Sequence, residues 1–275
     1  MLWDGTDIAF IEQGDDFAEC ASALAGSYFH EFAIHPTIAP DEVANACRAG
    51  FMPMAMMLDG EQGGQAFLTP KLHRQRCLLD PRDTHVSRTA FRESRRYSLS
   101  MNMDFNEVLS ACVATHGDGW LLPELVEAFS TLHDERDARR VAFISMELWS
   151  YRAQSPMLVA GEIGYLIGTA YASLTGYSRV SGAGTVQLAA TGAALAAAGI
   201  TVWDLGMEMG YKRAVGGRVH QRKQFLSILE NAYSASDTEI RRSMLTVSAM
   251  MPARTLLEGL GQDVSTATGS GMLSG

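Results

Sequence analysis

The stretch "YSRVSGAGTVQLAATGAALAAAG", residues 177–199, changes character twice. Arg179 is followed by Gly182 and Gly184, and from Val186 to Ile200 the chain is Ala-rich and carries no charge. Two physical readings compete. In one, Arg179-x-x-Gly182-x-Gly184 is a phosphate cradle, because free backbone N–H groups at a helix start attract anions and glycine admits them closely. In the other, the small residues let a helix lie close against a sheet. Both place a strand before residue 180 and a helix over 181–198, so a strand-to-helix junction is fixed here.

The pattern extends outward from that junction. "PMLVAGEIGYL" (156–166) and "GTAYASLTGYS" (168–178) are expected strands, as is "VAFISMELW" (141–149). "YSLSMNM" (97–103) alternates like a strand, and "ITVWDLGM" (200–207) is a fifth. Helices are expected over 104–116, with Asp104 as N-cap, and over 123–134, with proline in the first turn. A last helix is expected over 219–233, and a short one over 40–50. "GEQGG" (60–64) reads as a loop, and Met52, Met54, Met56 and Met57 as a soft apolar surface. The order β-α-α-β-β-β-α-β-α predicts an α+β fold, a mixed sheet flanked by helices, with a small N-terminal domain. The expected divisions are 1–68, 69–233 and a C-terminal extension 234–275, whose "STATGSGMLSG" end has too little apolar content to order.

Composition narrows the function. The 275 residues carry a net charge of −9, which argues against broad coating of nucleic acid. From Lys71 to Arg96, however, eight Lys/Arg face three acidic residues, a basic island suited to a few phosphates. The four cysteines are widely spaced with no CxxC, so reduced thiols are expected rather than zinc or disulfides. No 18-residue apolar window occurs and the N-terminus lacks a signal-peptide pattern, so a soluble cytoplasmic protein is expected. Gly-x-Ser-x-Gly, His-Glu-x-x-His and Walker sequences are absent.

The element order, with Arg-x-x-Gly-x-Gly between the fourth strand and the third helix, resembles the GNAT acyltransferases. Within that superfamily the chain looks most like the leucyl/phenylalanyl-tRNA–protein transferases. The resemblance is carried by "ACRAGFMPM" (46–54), "HVSRTAFRESRRYSLSMNMDFNEVLSACV" (85–113), "GWLLPELVEAFSTLH" (119–133), "ISMELW" (144–149), "LVAGEIGYLIGTAYASLTGYSRV" (158–180) and "VWDLGMEM" (202–209). It implies transfer of Leu or Phe from charged tRNA to the α-amine of an acceptor protein, marking that protein for degradation, with no metal and no cofactor. It also implies site residues. Trp120, matching the family's second tryptophan, would stack on the terminal adenine, while Met54 stands where the family has a tryptophan after Phe-Pro. Leu174 replaces the family's acceptor-binding acid and Gly206 a glutamine, whereas Asp204 matches. Met54, Leu174 and Tyr177 would line the donor pocket.

Chemistry read from the residues is compatible. An α-amine with a pKa of about 7.7–8 needs little more than positioning and a proton acceptor. Asp204 is the only charge in its apolar strand, where an unpartnered carboxylate is costly, and is the expected base. If the strand continued, Glu208 would share its face with Asp204 and Gly206, and Glu162 or Glu208 could replace the acid lost at Leu174. Arg88, Arg92, Arg95 and Arg96 fit acceptor-stem phosphates. Arg179, Gly182 and Gly184 fit one phosphate, or the pyrophosphate of CoA if the chain is instead a CoA-dependent N-acyltransferase. A third reading is a non-enzymatic descendant that binds tRNA ends or N-terminal peptides.

Overall fold

The computed structural model describes residues 8–260 other than 28, 61, 62, 118, 152–154 and 247. The N-terminal part contains strands β1 (Ala9–Phe10) and β2 (Ala33–Ile34), helices α1 (Phe17–Gly26) and α2 (Pro40–Arg48), and the hairpin β3 (Ala55–Gly60) and β4 (Gly63–Leu68). Then come β5 (Gln75–Leu79), α3 (Arg88–Glu93), β6 (Tyr97–Met101), α4 (Phe105–His116) and α5 (Pro123–Asp134). The long strands β7 (Ala142–Ser150), β8 (Met157–Ile167) and β9 (Ala170–Ser178) lead into α6 (Ala183–Ala198). The remainder is β10 (Val202–Asp204), α7 (Gly210–Ala214), β11 (Arg218–Gln221), α8 (Arg222–Ser234), α9 (Thr238–Met244), β12 (Met251–Pro252) and α10 (Ala253–Gly259).

Eight strands form one sheet in the order β11-β5-β10-β9-β8-β7-β6-β12, antiparallel throughout except for the parallel pair β9–β10. The mixed sheet flanked by helices is the α+β arrangement expected from the sequence. β7 and β8 are buried at nearly every position, as strands covered on both faces must be. One face carries an apolar cluster shared by Phe17, Val43 and Phe51 of the N-terminal part with Leu109, Phe129, Tyr165 and Phe225. The described residues of the N-terminal part therefore pack into the same core as the sheet. The other face is covered by α6, whose Ala183, Val186, Ala190 and Ala194 meet Leu148, Val159 and Ala160. At Gly192 an added Cβ would lie 2.4 Å from Thr84 Oγ1, so that glycine serves close packing.

Three local expectations are corrected. The strand over 200–207 stops at Asp204, because the Asp204 carboxylate accepts the Gly206 N–H (2.8 Å) and Gly206 turns to φ +78. The helix over 219–233 starts only at Arg222, since 218–221 pair with β5. The basic island also contains a strand: Arg76 lies on β5 and is buried, so it is no part of a phosphate-binding surface. Beyond the expected last helix, α9 packs Ile240 and Met244 into the core and β12 adds an edge to the sheet. The "STATGSGMLSG" end lies outside the described residues.

Candidate functional site

β9 and β10 run side by side only from Ala170 to Ala172, where Asp204 is the last partner. After Asp204 the chain leaves β9: Leu205 N–H bonds to Cys77 and the Gly206 carbonyl accepts from Cys77, both on β5. β9 runs on to Ser178 with only β8 beside it. The split opens a cleft of about 570 Å³. Its walls are residues 173–178 of β9, the first turns of α6 from Gly184 to Ala189, and Leu205, Tyr211, Lys212 and Val215. Ser87 at the N-cap of α3, Ala90 within it and His116 at the end of α4 close its sides. Leu174, Leu188, Leu205 and Val215 make the cleft apolar, with a few polar groups placed among them, as small-molecule sites are.

Glu162 is the only carboxylate among the described residues lining the cleft. It comes from β8, is buried, and its Oε1 accepts hydrogen bonds from Tyr171 Oη (3.0 Å) and Ser173 Oγ (3.2 Å). Burial raises its pKa above the usual carboxylate range, against the opposing pull of Tyr171, Ser173, Gln187 and Lys212. Ser173 Oγ in turn accepts from Trp203 Nε1 (2.9 Å). Lys212 donates to the Met207 carbonyl (3.1 Å), and burial lowers its pKa. The Tyr177 hydroxyl is buried and has no hydrogen-bond partner among the described residues, although its side chain borders the cleft. The Gly176 carbonyl accepts from His116 Nε2 (2.7 Å), which ties α4 to the free edge of β9.

Asp204 is elsewhere. It is buried and does not line the cleft; Arg76 grips it with two hydrogen bonds, Nε to Oδ1 at 3.1 Å and Nη2 to Oδ2. The guanidinium also bonds His73 Nδ1 (3.1 Å) and lies 4.9 Å from the centre of the Phe225 ring. Burial opposes the Arg76 charge, and Asp204 more than offsets that cost. The carboxylate expected to receive the acceptor proton is thus committed to a permanent cation and to the Gly206 N–H. Glu208 does not line the cleft either. It sits on an exposed loop, paired with Arg213, and because the strand ends early it does not share a face with Asp204.

Leu174, Tyr177 and Gly184 do meet in the cleft, whereas Met54, Trp120, Gly182 and Gly206 are not among its lining residues. The Trp120 carbonyl accepts from the N–H of Ala55, the residue after Met54, and Trp120 is half-buried against the core. Gly182 has φ +81 and ends the approach to α6. Arg179 turns to Glu107 (3.0 Å) and lies over the Tyr177 ring rather than waiting at the helix start. Arg88, Arg92, Arg95 and Arg96 are exposed on the segment whose Ser87 and Ala90 border the cleft. Arg92 and Arg96 share Glu93, while Arg88 and Arg95 have no ion-pair partner among the described residues. Sequence reasoning gave Glu162 only a substitute's place. The signal that singled out Asp204 applies equally to Glu162, the one charge in "PMLVAGEIGYL".

A mixed sheet splitting beside a helix start, with an apolar cleft holding one buried carboxylate, has the make-up of a small-molecule binding site. No helix of the described residues is long and apolar enough to cross a membrane, and no cluster of three metal-ligating side chains occurs among them. The family model for leucyl/phenylalanyl-tRNA protein transferase matches residues 78–230, and the chain belongs to that family. Leucyl/phenylalanyl-tRNA–protein transferases of Azotobacter vinelandii and Alkalilimnicola ehrlichii are each 30% identical to it, over 56% and 57% of this chain. The aligned part spans 66% and 60% of those relatives' own lengths. The Dinoroseobacter shibae protein of the same name is 28% identical over 73% of this chain and 84% of its own. Among solved structures, FemX superposes with a TM-score of 0.43 at 10% identity over 78% of each chain, too loose a likeness to bear on function.

Proposed function

We propose that this chain moves an apolar amino acid, Leu or Phe and by size also Met, from charged tRNA to the N-terminal α-amine of an acceptor protein, so marking that protein for degradation in the cytoplasm. The observation that carries the reading is the cleft at the β9–β10 split, which falls inside the span matched by the family model. Leu174, Leu188 and Val215 offer the donor side chain an apolar wall, and Tyr177 borders it. An apolar wall separates side chains by only ~1–3 kcal/mol per methylene, hence the mixed donors. Arg88, Arg92, Arg95 and Arg96, exposed on and just after α3, would hold the acceptor stem, and Trp120 would offer the aromatic face for the terminal adenine. With Leu174 in place of an acid, no preference for Arg or Lys acceptors is expected.

Gly184 and Thr185, opening from α6 into the cleft, favour a second reading in which CoA carries the acyl group. One assay separates the readings. Purified chain is offered radiolabelled Leu-tRNA, Phe-tRNA or acetyl-CoA with peptides beginning in Arg, Lys, Asp or Glu. Label arriving from tRNA supports the first reading, and label only from acetyl-CoA replaces it with the second. Binding of tRNA or peptide without any transfer marks a non-enzymatic descendant.

A further inference from the structure

Asp204 is held by Arg76 and does not line the cleft, which holds a different carboxylate. We propose that the proton lost by the attacking amine passes to Ser173 Oγ while the proton of Ser173 passes to Glu162. The inference rests on the aminoacyl-transfer reading for its reaction, and on the cleft geometry for its residues.

Ser173 stands at the apex of the split, the first residue of β9 past the register with β10. It is half-buried and lines the cleft, so its hydroxyl is reachable. Trp203 Nε1 donates to that oxygen at 2.9 Å, and the hydroxyl proton is directed at Glu162 Oε1, 3.2 Å away. A hydroxyl has one proton and two lone pairs. One lone pair is taken by Trp203 and the proton by Glu162, and the second lone pair is the one the relay assigns to the amine N–H. Tyr171 holds the same Glu162 oxygen, which keeps the carboxylate from turning away. Burial adds to its proton affinity. The other titratable groups facing this carboxylate or sharing its cleft are Lys212, Tyr211, Tyr171, Tyr177, Cys112, His85 and His116.

The step balances. The amine nitrogen bonds to the ester carbonyl carbon and carries an extra proton. That proton goes to Ser173 Oγ as the Ser173 proton goes to Glu162. The bond from carbonyl carbon to ribose oxygen then breaks, and the relay returns the proton to that oxygen. Ester and amine become amide and hydroxyl, with no other reactant.

The test measures single-turnover transfer to a peptide α-amine from pH 5.5 to 9 for wild type, Glu162→Gln, Ser173→Ala and Ser173→Thr, with Leu-tRNA and acetyl-CoA as donors, each variant first checked by thermal melting. The expected loss for Glu162→Gln and Ser173→Ala is about 100-fold or more in rate, with KM little changed and Ser173→Thr partly active. In wild type the log rate falls more steeply toward the acid end than in Glu162→Gln, since both the amine and Glu162 must be unprotonated in the one and only the amine in the other. Transfer from tRNA with unchanged rates and slope in both Glu162→Gln and Ser173→Ala overturns the relay and leaves the functional reading standing. Transfer only from acetyl-CoA, but lost in the two variants, overturns the tRNA reading and keeps the relay. No transfer from either donor overturns both.

Discussion

The Arg76–Asp204 pair gives the sharpest separation of structure from chemistry. Both side chains are 2% exposed, joined by a two-pronged contact between β5 and β10. Asp204→Asn leaves the guanidinium without its counter-charge in a site that water does not reach. Removing one partner of a buried pair costs ~3–5 kcal/mol, whereas replacing both with apolar groups is often neutral. For a chain of this size each kcal/mol lowers Tm by roughly 2 °C, so Asp204→Asn is expected to melt roughly 6–10 °C below wild type. Arg76→Met/Asp204→Leu removes both charges, but it also strips His73 Nδ1 and the Gly206 N–H of their partners. Each orphaned group costs ~1–3 kcal/mol, so the double variant is expected to recover part of the loss, not all of it. Calorimetry gives the melting points, and transfer is measured well below the lowest of them. The double variant is expected to transfer within an order of magnitude of wild type. Asp204→Asn melting as wild type refutes the ion-pair argument, and a folded double variant that has lost transfer returns Asp204 to the reaction.

Three further outcomes follow from other parts of the molecule. If Arg88 and Arg95 contact tRNA phosphates, Arg88→Ala/Arg95→Ala lowers the slope of log kcat/KM against log salt by about 1.5, from ~0.7–0.9 per phosphate; an unchanged slope places the tRNA elsewhere. Gly192→Ala improves helix propensity yet is expected to destabilise by ~1–3 kcal/mol in urea melts, because the methyl meets Thr84; a more stable variant refutes that packing. Burial, then Arg76, lowers the His73 pKa from 6.5 to about 3. Between those values the unfolded chain binds the proton and the fold does not, so this contribution to stability is full above 6.5 and is lost as pH falls toward 3. Glu147 and Glu162, both shifted upward by burial, act with the opposite sign, losing stability as pH rises through their folded pKa values. Urea melts at pH 7 and 5 isolate the histidine: His73→Gln is expected to lose less stability on acidification than wild type, and an equal loss refutes it.

The sequence by itself determined the local elements, because their causes are local. "PELVEAFSTLHD" is an amphipathic helix opened by proline, and α5 occupies Pro123–Asp134. The apolar runs that became β7, β8 and β9 were visible for the same reason. It also announced that Asp204 must have a partner, since a bare carboxylate in an apolar strand is too costly, but not which one. Arg76 lies 128 residues away on a strand hidden in a run of basic residues. Only the tertiary structure decided that pairing, and with it which carboxylate faces the cleft. Side chains alternate along a strand, so the face each occupies depends on where the neighbouring strands stop. β10 parts from β9 at Asp204, turning that carboxylate into the core and leaving Glu162, Ser173 and Trp203 in contact at the opening.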